Sequence, residues 1–420
     1  MVMDGEEEIS DFLSEGEIDE IIDLSMETDD DSEDSMDLID PITSVTSMGT
    51  MQQESIENAV CVFKGHARSN PIYCACLSQN GELAITGSGE DVAYLWETTT
   101  GNIVMKCDGH IDSVIFAEFS HDETYLATAD MKGLIQLWEL SSKTCYWQNN
   151  IGDLFWIKWH HSANILLASC ESGEIYMWSL PKGKCKIFPG YGSVAECGTI
   201  CPDGKSIVVG YRDGTIRMIN LKDSTVTATI PISQGHTSLI TSIDCDVNNK
   251  LLISVSTDGK TILSTAHNGK IISILQDLSS GTSTEQNDCT EEEESESNTK
   301  NWAETIAFCK DPTLPCAASG TVNGELFIWD ISKQILRHNI NIYTKRAITK
   351  VLWKGNTSIL FLGGADGVTR CVDAKTGECL RFYKGHKGAI LDLYISKNEK
   401  RLLTVSEDAT AIVFDISSIS

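Results

Sequence analysis

Four histidines directly follow a glycine: Gly65-His66, Gly109-His110, Gly235-His236 and Gly385-His386. An imidazole can move a proton, ligate a metal, or hold two hydrogen bonds at once. These four recur at the same phase of similar segments, which points to the last role. Each can bond a turn Asp or a strand Ser/Thr within its own segment, and Asp258 and Asp408 are suitably placed for the last two. His160-His161 falls in a turn and reads as solvated. Two triplets, Gly204-Lys205-Ser206 and Gly259-Lys260-Thr261, look like the end of a phosphate loop. That loop needs a Gly five residues before the second Gly, and Thr199 and Ser254 stand there instead. No Gly-x-Ser-x-Gly elbow, His-Glu-x-x-His or Asp-rich calcium loop occurs. The fifteen cysteines contain no Cys-x-x-Cys pair. Residues such as Cys74, Cys76, Cys170 and Cys245 lie in apolar runs and read as small buried thiols. The residue types therefore call for no catalytic residue, no cofactor and no metal site.

The elements that carry these histidines repeat. Each has an apolar strand, a tight turn, a second short strand, and Trp-Asp or a substitute. The Trp-equivalent positions are Trp96, Trp138, Trp178, Ile219, Ser264, Trp329, Val372 and Phe414. Their spacings are 40–45 residues, except for one gap of 65 that contains an acidic stretch. Asp213-Gly214, Asp258-Gly259 and Asp366-Gly367 supply the positive φ that two-residue hairpins demand. A period near 40–45 residues with Gly-His and Trp-Asp marks is the WD40 signature. Trp329-Asp330 is its one literal Trp-Asp, and Trp96-Glu97, Trp138-Glu139 and Phe414-Asp415 are variants. The expected fold is an all-β WD40 propeller over 59–418. Eight blades are expected, or seven if the unit around Ser264 is irregular. His66, His110, His236, His386, Trp96, Trp138, Trp178 and Trp329 are assigned structural roles. The apolar strand at 59–64 precedes any complete unit, and the last unit lacks a fourth strand. The first should complete the last and close the ring.

Charge is unevenly spread. The chain carries −29, of which residues 1–63 contribute −20 and residues 276–304 contribute −8, leaving the rest near neutral. Residues 1–58 are too polar to bury a core, so a disordered acidic tail is expected. Within it, Ile9, Phe12, Leu13, Ile18, Ile21 and Ile22 recur at helical spacing among carboxylates, with Gly16 interrupting. That segment reads either as a solvated tail or as one that folds on a basic, partly apolar partner. Residues 276–304 read as an acidic flexible insertion between blades. The balance disfavours direct nucleic-acid binding and favours basic partners. No apolar run reaches the about 20 residues of a membrane span. The acidic N-terminus is unlike a secretory or transit signal, and cytoplasmic residence is expected, with nuclear entry left open.

Specific stretches resemble the angio-associated migratory cell protein family of WD40 proteins: GDLFWIKWHHSANILLASCESGEIYMWSLPKGKCKIF, CPDGKSIVVGYRDGTIRMINL, the EEEESES insertion and the ending KGHKGAILDLYISKNEKRLLTVSEDATAIVFDI. The resemblance covers about residues 58–418; in the leader only the acidic character is shared. It implies an eight-bladed ring. It also implies a chaperone in 60S ribosome biogenesis, because fungal relatives bind a basic large-subunit ribosomal protein while it is being made. Animal members have been linked to cell migration and signalling, so a scaffold is the alternative. A cullin-ligase adaptor would carry Arg after Trp-Asp-x, but Trp329-Asp330-Ile331 is followed by Ser332. A histone chaperone is the nearest physical competitor.

A basic client would be met by carboxylates on the edge that carries the Gly-His loops and Asp turns. The repeat phase nominates Glu90, Asp112, Asp130, Asp153, Phe155, Glu171, Glu196 and Asp213 as partner contacts. A monomer with no ligand is expected.

Overall fold

Alternation of apolar residues with turn signals makes the chain a succession of short antiparallel strands. The computed structural model describes residues 56–279, 300–342 and 345–419. Among these, thirty-two strands form eight four-stranded sheets and no helix occurs. Seven sheets take their strands in chain order. The eighth joins the first strand, Ala59–Phe63, to Ala411–Asp415, with Arg401–Ser406 and Ile390–Ile395 inside it. The chain thus closes on itself, as the single leading strand implied.

Closure is also visible in the core. Eight hydrophobic clusters occur, one between each pair of neighbouring blades. The cluster between blades 8 and 1 holds Leu403, Val405 and Val413 against Ile72, Ala75 and Trp96. Phe63, on the closing strand, stacks on Trp96 with centroids 4.4 Å apart and 2° between planes. The unit around Ser264 is a complete four-stranded blade 5, with Ser264 paired to Leu252 and Ile271 and two bulges between its third and fourth strands. Eight blades are present.

The first strand of each blade lines the axis and runs from the Gly-His edge to the opposite edge. Side chains on the inner strands link neighbours: Thr241 Oγ1 and Thr349 Oγ1, on first strands, each donate across a blade boundary at 2.7 Å, and Ser169 Oγ, on the second strand of blade 3, donates to Ala195 O at 2.8 Å. On the opposite edge the turns interlock. His160 corrects the solvated reading: it is fully buried and bonds Gly204 O at 3.0 Å, so the Gly204-Lys205-Ser206 turn is a blade-to-blade contact. Burial lowers the His160 pKa below the ordinary value. Gly259, in the other triplet, makes the tight turn between the second and third strands of blade 5 with φ +84°.

Three boundaries differ from the sequence reading. The expected insertion 276–304 is invaded by strands Ile271–Asp277 and Ala303–Phe308, and its middle, 280–299, lies outside the described residues. The expected tail 1–58 lies outside them up to residue 55. Ile56 is held in a turn, its carbonyl accepting from Ala59 N at 3.1 Å. Cys145 and Cys379 are exposed on outer strands, whereas Cys74, Cys76, Cys170 and Cys245 are buried as read.

Candidate protein-binding face

One edge of the ring is built from two kinds of loop. The first enters each inner strand and carries Gly-His. The second joins the second and third strands and carries the turn Asp. Networks of polar side chains tie the two together. In blade 1, Trp96 Nε1–H donates to Thr86 Oγ1 at 3.2 Å, and Thr86 Oγ1 lies 2.9 Å from His66 Nε2. His66 Nδ1 lies 2.6 Å from Glu90 Oε1. Burial lowers the His66 pKa, which keeps the ring neutral despite Glu90. A neutral ring donates from Nδ1 to the carboxylate and accepts the Thr86 hydroxyl at Nε2. Blade 2 repeats this with Trp138, Thr128, His110 and Asp130. Blades 5 and 8 keep the imidazole but lack the Trp. His236 bonds Ser254 at 2.9 Å and Asp258 at 3.2 Å, and His386 bonds Thr404 at 2.8 Å and Asp408 at 3.3 Å. Burial would raise the Asp258 carboxyl, but bonds from His236, Thr237 N and Lys260 N outweigh it and hold the pKa at about 2.

Blades 4 and 7 lack the histidine and replace it with an arginine two residues before the Trp position. In blade 7, Arg370 clasps Asp366 with two bonds, at 3.1 and 2.5 Å. In blade 4, Arg217 lies between Tyr191 and Tyr211, 4.4 and 4.7 Å from their ring centroids. Tyr191 occupies the position of the missing histidine. Trp178 and Trp329 are buried in their third strands, stacked on Tyr176 and Phe327.

This geometry sorts the nominated contacts. Asp130 is wholly buried, and its oxygens accept from Ile111 N and Leu134 N besides His110. It holds the loops in shape and cannot present its charge, which corrects its nomination as a contact. Glu90 likewise serves His66 and Ala67 N, with only a small side-chain exposure. Asp153 pairs with Lys132 at 3.5 Å in solvent, a contact worth about 0–1 kcal/mol. Glu196 pairs with Arg212, which also lies 5.2 Å from the Phe155 ring centroid. Asp112, Glu171 and Asp213 remain as carboxylates with no cationic partner among the described residues. Asp112 and Asp213 accept only backbone amides, from Ser113 and Thr215.

The sequence reading missed the apolar half of this face. Ile111 is 64% exposed and Met131 49%, and Tyr73 is also exposed. All three lie in or beside the loops of blades 1 and 2; Ile111 adjoins Asp112, and the Met131 backbone bonds Ser113 O and Leu154 N. A large apolar residue in a turn between strands was the available signal. The carboxylates also cluster unevenly. They crowd blades 1–4, while Lys345, Arg346, Lys384 and Lys387 occupy the loops entering blades 7 and 8. The nominated carboxylates all belong to blades 1–4, so they form one sector of the face and not its whole edge.

A second missed group lines the channel. Glu118, Lys158 and Asp244 share one position on the inner strands of blades 2, 3 and 5. Glu118 is half-buried in the channel wall, and that burial, opposed by Lys158 and Lys350, pushes its pKa up to about 7. Lys350 bridges to Asp392 at 2.5 Å, and Asp392 accepts from Ala75 N at 3.1 Å. A charge recurring inside apolar first strands was its signal. Among the described residues, no three His, Cys, Asp or Glu side chains converge as metal ligands.

The WD domain, G-beta repeat family model matches residues 57–97, 101–139, 183–220, 227–273 and 377–415. The chain is 37% identical over 362 residues to the angio-associated migratory cell protein of Canis lupus familiaris, covering 86% of this chain and 80% of that one. The crystal structure of Saccharomyces cerevisiae Sqt1 superposes with a TM-score of 0.72 at 18% identity, over 86% of this chain and 99% of the other. Chaetomium thermophilum Sqt1, solved bound to the N-terminus of the ribosomal protein L10, gives 0.71 at 16% identity, over 85% and 99%.

Proposed function

The chain belongs to the angio-associated migratory cell protein family of WD40 propellers, and from that premise we propose that it chaperones a basic large-subunit ribosomal protein, gripping the client on the blade 1–4 sector of its Gly-His face. The observation that carries this reading is the pairing of unbridged carboxylates, Asp112, Glu171 and Asp213, with exposed Ile111, Met131 and Tyr73 on one rigid sector. Lysines and arginines destined for RNA are unpaired before assembly. Fixed carboxylates offset that charge, and the apolar side chains set register. Because the loops are pinned by buried hydrogen bonds, little ordering entropy is lost on binding. A ring of the same fold carrying the N-terminus of ribosomal protein L10 in Chaetomium thermophilum supports this choice of client. On this reading the protein works as a monomer, without a cofactor, in the cytoplasm where its client is translated.

The test is binding of a labelled peptide, the N-terminus of L10, to the full chain. Replacing Asp112, Glu171 and Asp213 together by Lys should weaken binding by about a hundredfold or more, since buried or focused charge pairs at interfaces couple by 1.5 kcal/mol and upward, each 1.4 kcal/mol being tenfold. Asp223→Lys, in an exposed turn of the opposite edge, should leave it unchanged. Affinity should also fall steeply with salt, whereas a scaffold that reads short apolar motifs would show a shallow dependence. Retained affinity in the triple variant, with its thermal midpoint intact, rejects this sector.

A further inference from the structure

The chain enters the ring beside a groove of about 580 Å³, lined by Ile56, Glu57, Phe382, Arg381 and Lys384 among others. The groove lies between the outer strand of blade 7, Cys379–Tyr383, and the closing strand of blade 8. Its apolar wall is exposed, Phe382 at 53%, and Leu380, two residues earlier on the same outer strand, is exposed at 49%. Such surface on an unpaired strand invites a partner. Its rim is basic. Arg381 donates to Ser418 Oγ at 3.5 Å and lies against the Tyr383 hydroxyl, and neither Arg381 nor Lys384 meets a carboxylate in an ion pair among the described residues. Ile56 packs on Gly385 and the blade 7–8 core, so the preceding chain starts at the groove itself.

We propose that the acidic amphipathic segment 9–22 of the leader docks in this groove, in cis. Three features commit the site to that occupant. The segment carries the complementary chemistry, with Ile9, Phe12, Leu13, Ile18, Ile21 and Ile22 set among carboxylates and no Lys or Arg before Lys64. Residues 23–55 separate the segment from the groove, a length of chain more than sufficient to span the distance back to it. The attachment point is the groove wall. Docking covers Phe382 and Leu380 and neutralises the basic sector of a face whose other half is acidic. The inference stands independently of the client, since neither Asp112, Glu171 nor Asp213 contributes to it.

Zero-length carbodiimide coupling of the full chain, followed by mass spectrometry, tests it. Carboxylates between Glu6 and Asp23 should couple to Lys384 or Lys387 in preference to Lys182, which lies across the ring on the opposite edge. The paired replacement Leu380→Ser/Phe382→Ser should reduce that coupling by about tenfold, the factor that part-burial of one Phe supplies. Ile18→Ser/Ile21→Ser in the leader should do the same, with circular dichroism and the thermal midpoint unchanged in both. Coupling spread evenly over the ring's lysines, or insensitive to both pairs of replacements, overturns the proposal. So does coupling found only between isotope-labelled and unlabelled copies, which would make the occupant a second molecule's leader.

Discussion

Ring closure rests on one strand, and Phe63 is its anchor. Phe63 is 3% exposed and stacks on Trp96 of blade 1 while its backbone pairs with Ala411 of blade 8. Phe63→Ala removes the ring and leaves a hole between blades 8 and 1. Core Phe→Ala changes cost about 3–5 kcal/mol, of which the stack accounts for about 0.5–1.5. The neighbours are β-strands fixed on both sides, so the hole cannot collapse readily and the upper half of that range applies. At about 4 kcal/mol, opening of the closing strand becomes roughly a thousandfold more frequent. Urea unfolding should show the lost stability, and hydrogen exchange should show where it is lost: amides of Ala411–Asp415 speed up first, while those of blade 4 follow only global unfolding. Ile103→Ala, on an outer strand at 49% exposure, serves as the control and should change stability by at most about 0.5 kcal/mol. A loss under about 1 kcal/mol for Phe63→Ala, with unchanged exchange at Ala411–Asp415, would refute the clamp.

Three further outcomes follow from the buried titrating groups. Asp258, held at about 2 in the folded ring against about 3.9 unfolded, contributes stability that is present above pH 4 and is lost as pH falls toward 2; Asp258→Asn should flatten acid unfolding in that window. His160, whose pKa is lowered by burial, leaves the unfolded chain the better proton acceptor, so stability should drop as pH falls below about 6.5. His160→Gln should reduce the slope of the thermal midpoint between pH 7.5 and 5.5. Glu118 works in the opposite sense: with a folded pKa of about 7, its ionisation destabilises the ring as pH rises, so Glu118→Gln should gain midpoint over the parent at pH 8 and lose that gain at pH 5. Equal midpoints at both pH values would show Glu118 to be solvated.

The in-phase recurrence of Gly-His, the Asp turns and the Trp positions was sufficient to read the blades. A four-stranded blade is a local structure whose turns are written in consecutive residues. The two-residue turn at Asp213-Gly214 illustrates this: Gly214 has φ +90°, and a Cβ there would lie 2.6 Å from His236 O in the next blade. The same phase identified which edge carries the Gly-His loops. It did not reveal which carboxylates on that edge are spent internally. Asp258 and Asp213 stand at the same turn position, yet one is held by His236 and the other, in a blade with Tyr191 in place of the histidine, is exposed.

Composition was silent on the face, because net charge sums residues that the ring distributes to different sectors and edges. His160 and His161 are adjacent in sequence, but only His160 is sealed, by a turn contributed from the next blade. The periodic pattern of the chain determined eight blades, since within seven of them each strand's turn and partner lie within about forty residues; closure, which pairs Phe63 with Ala411, was legible only through the lone leading strand. Burial, pairing and exposure of its charged groups were decided by contacts between blades, because those contacts join residues whose proximity no local spacing encodes.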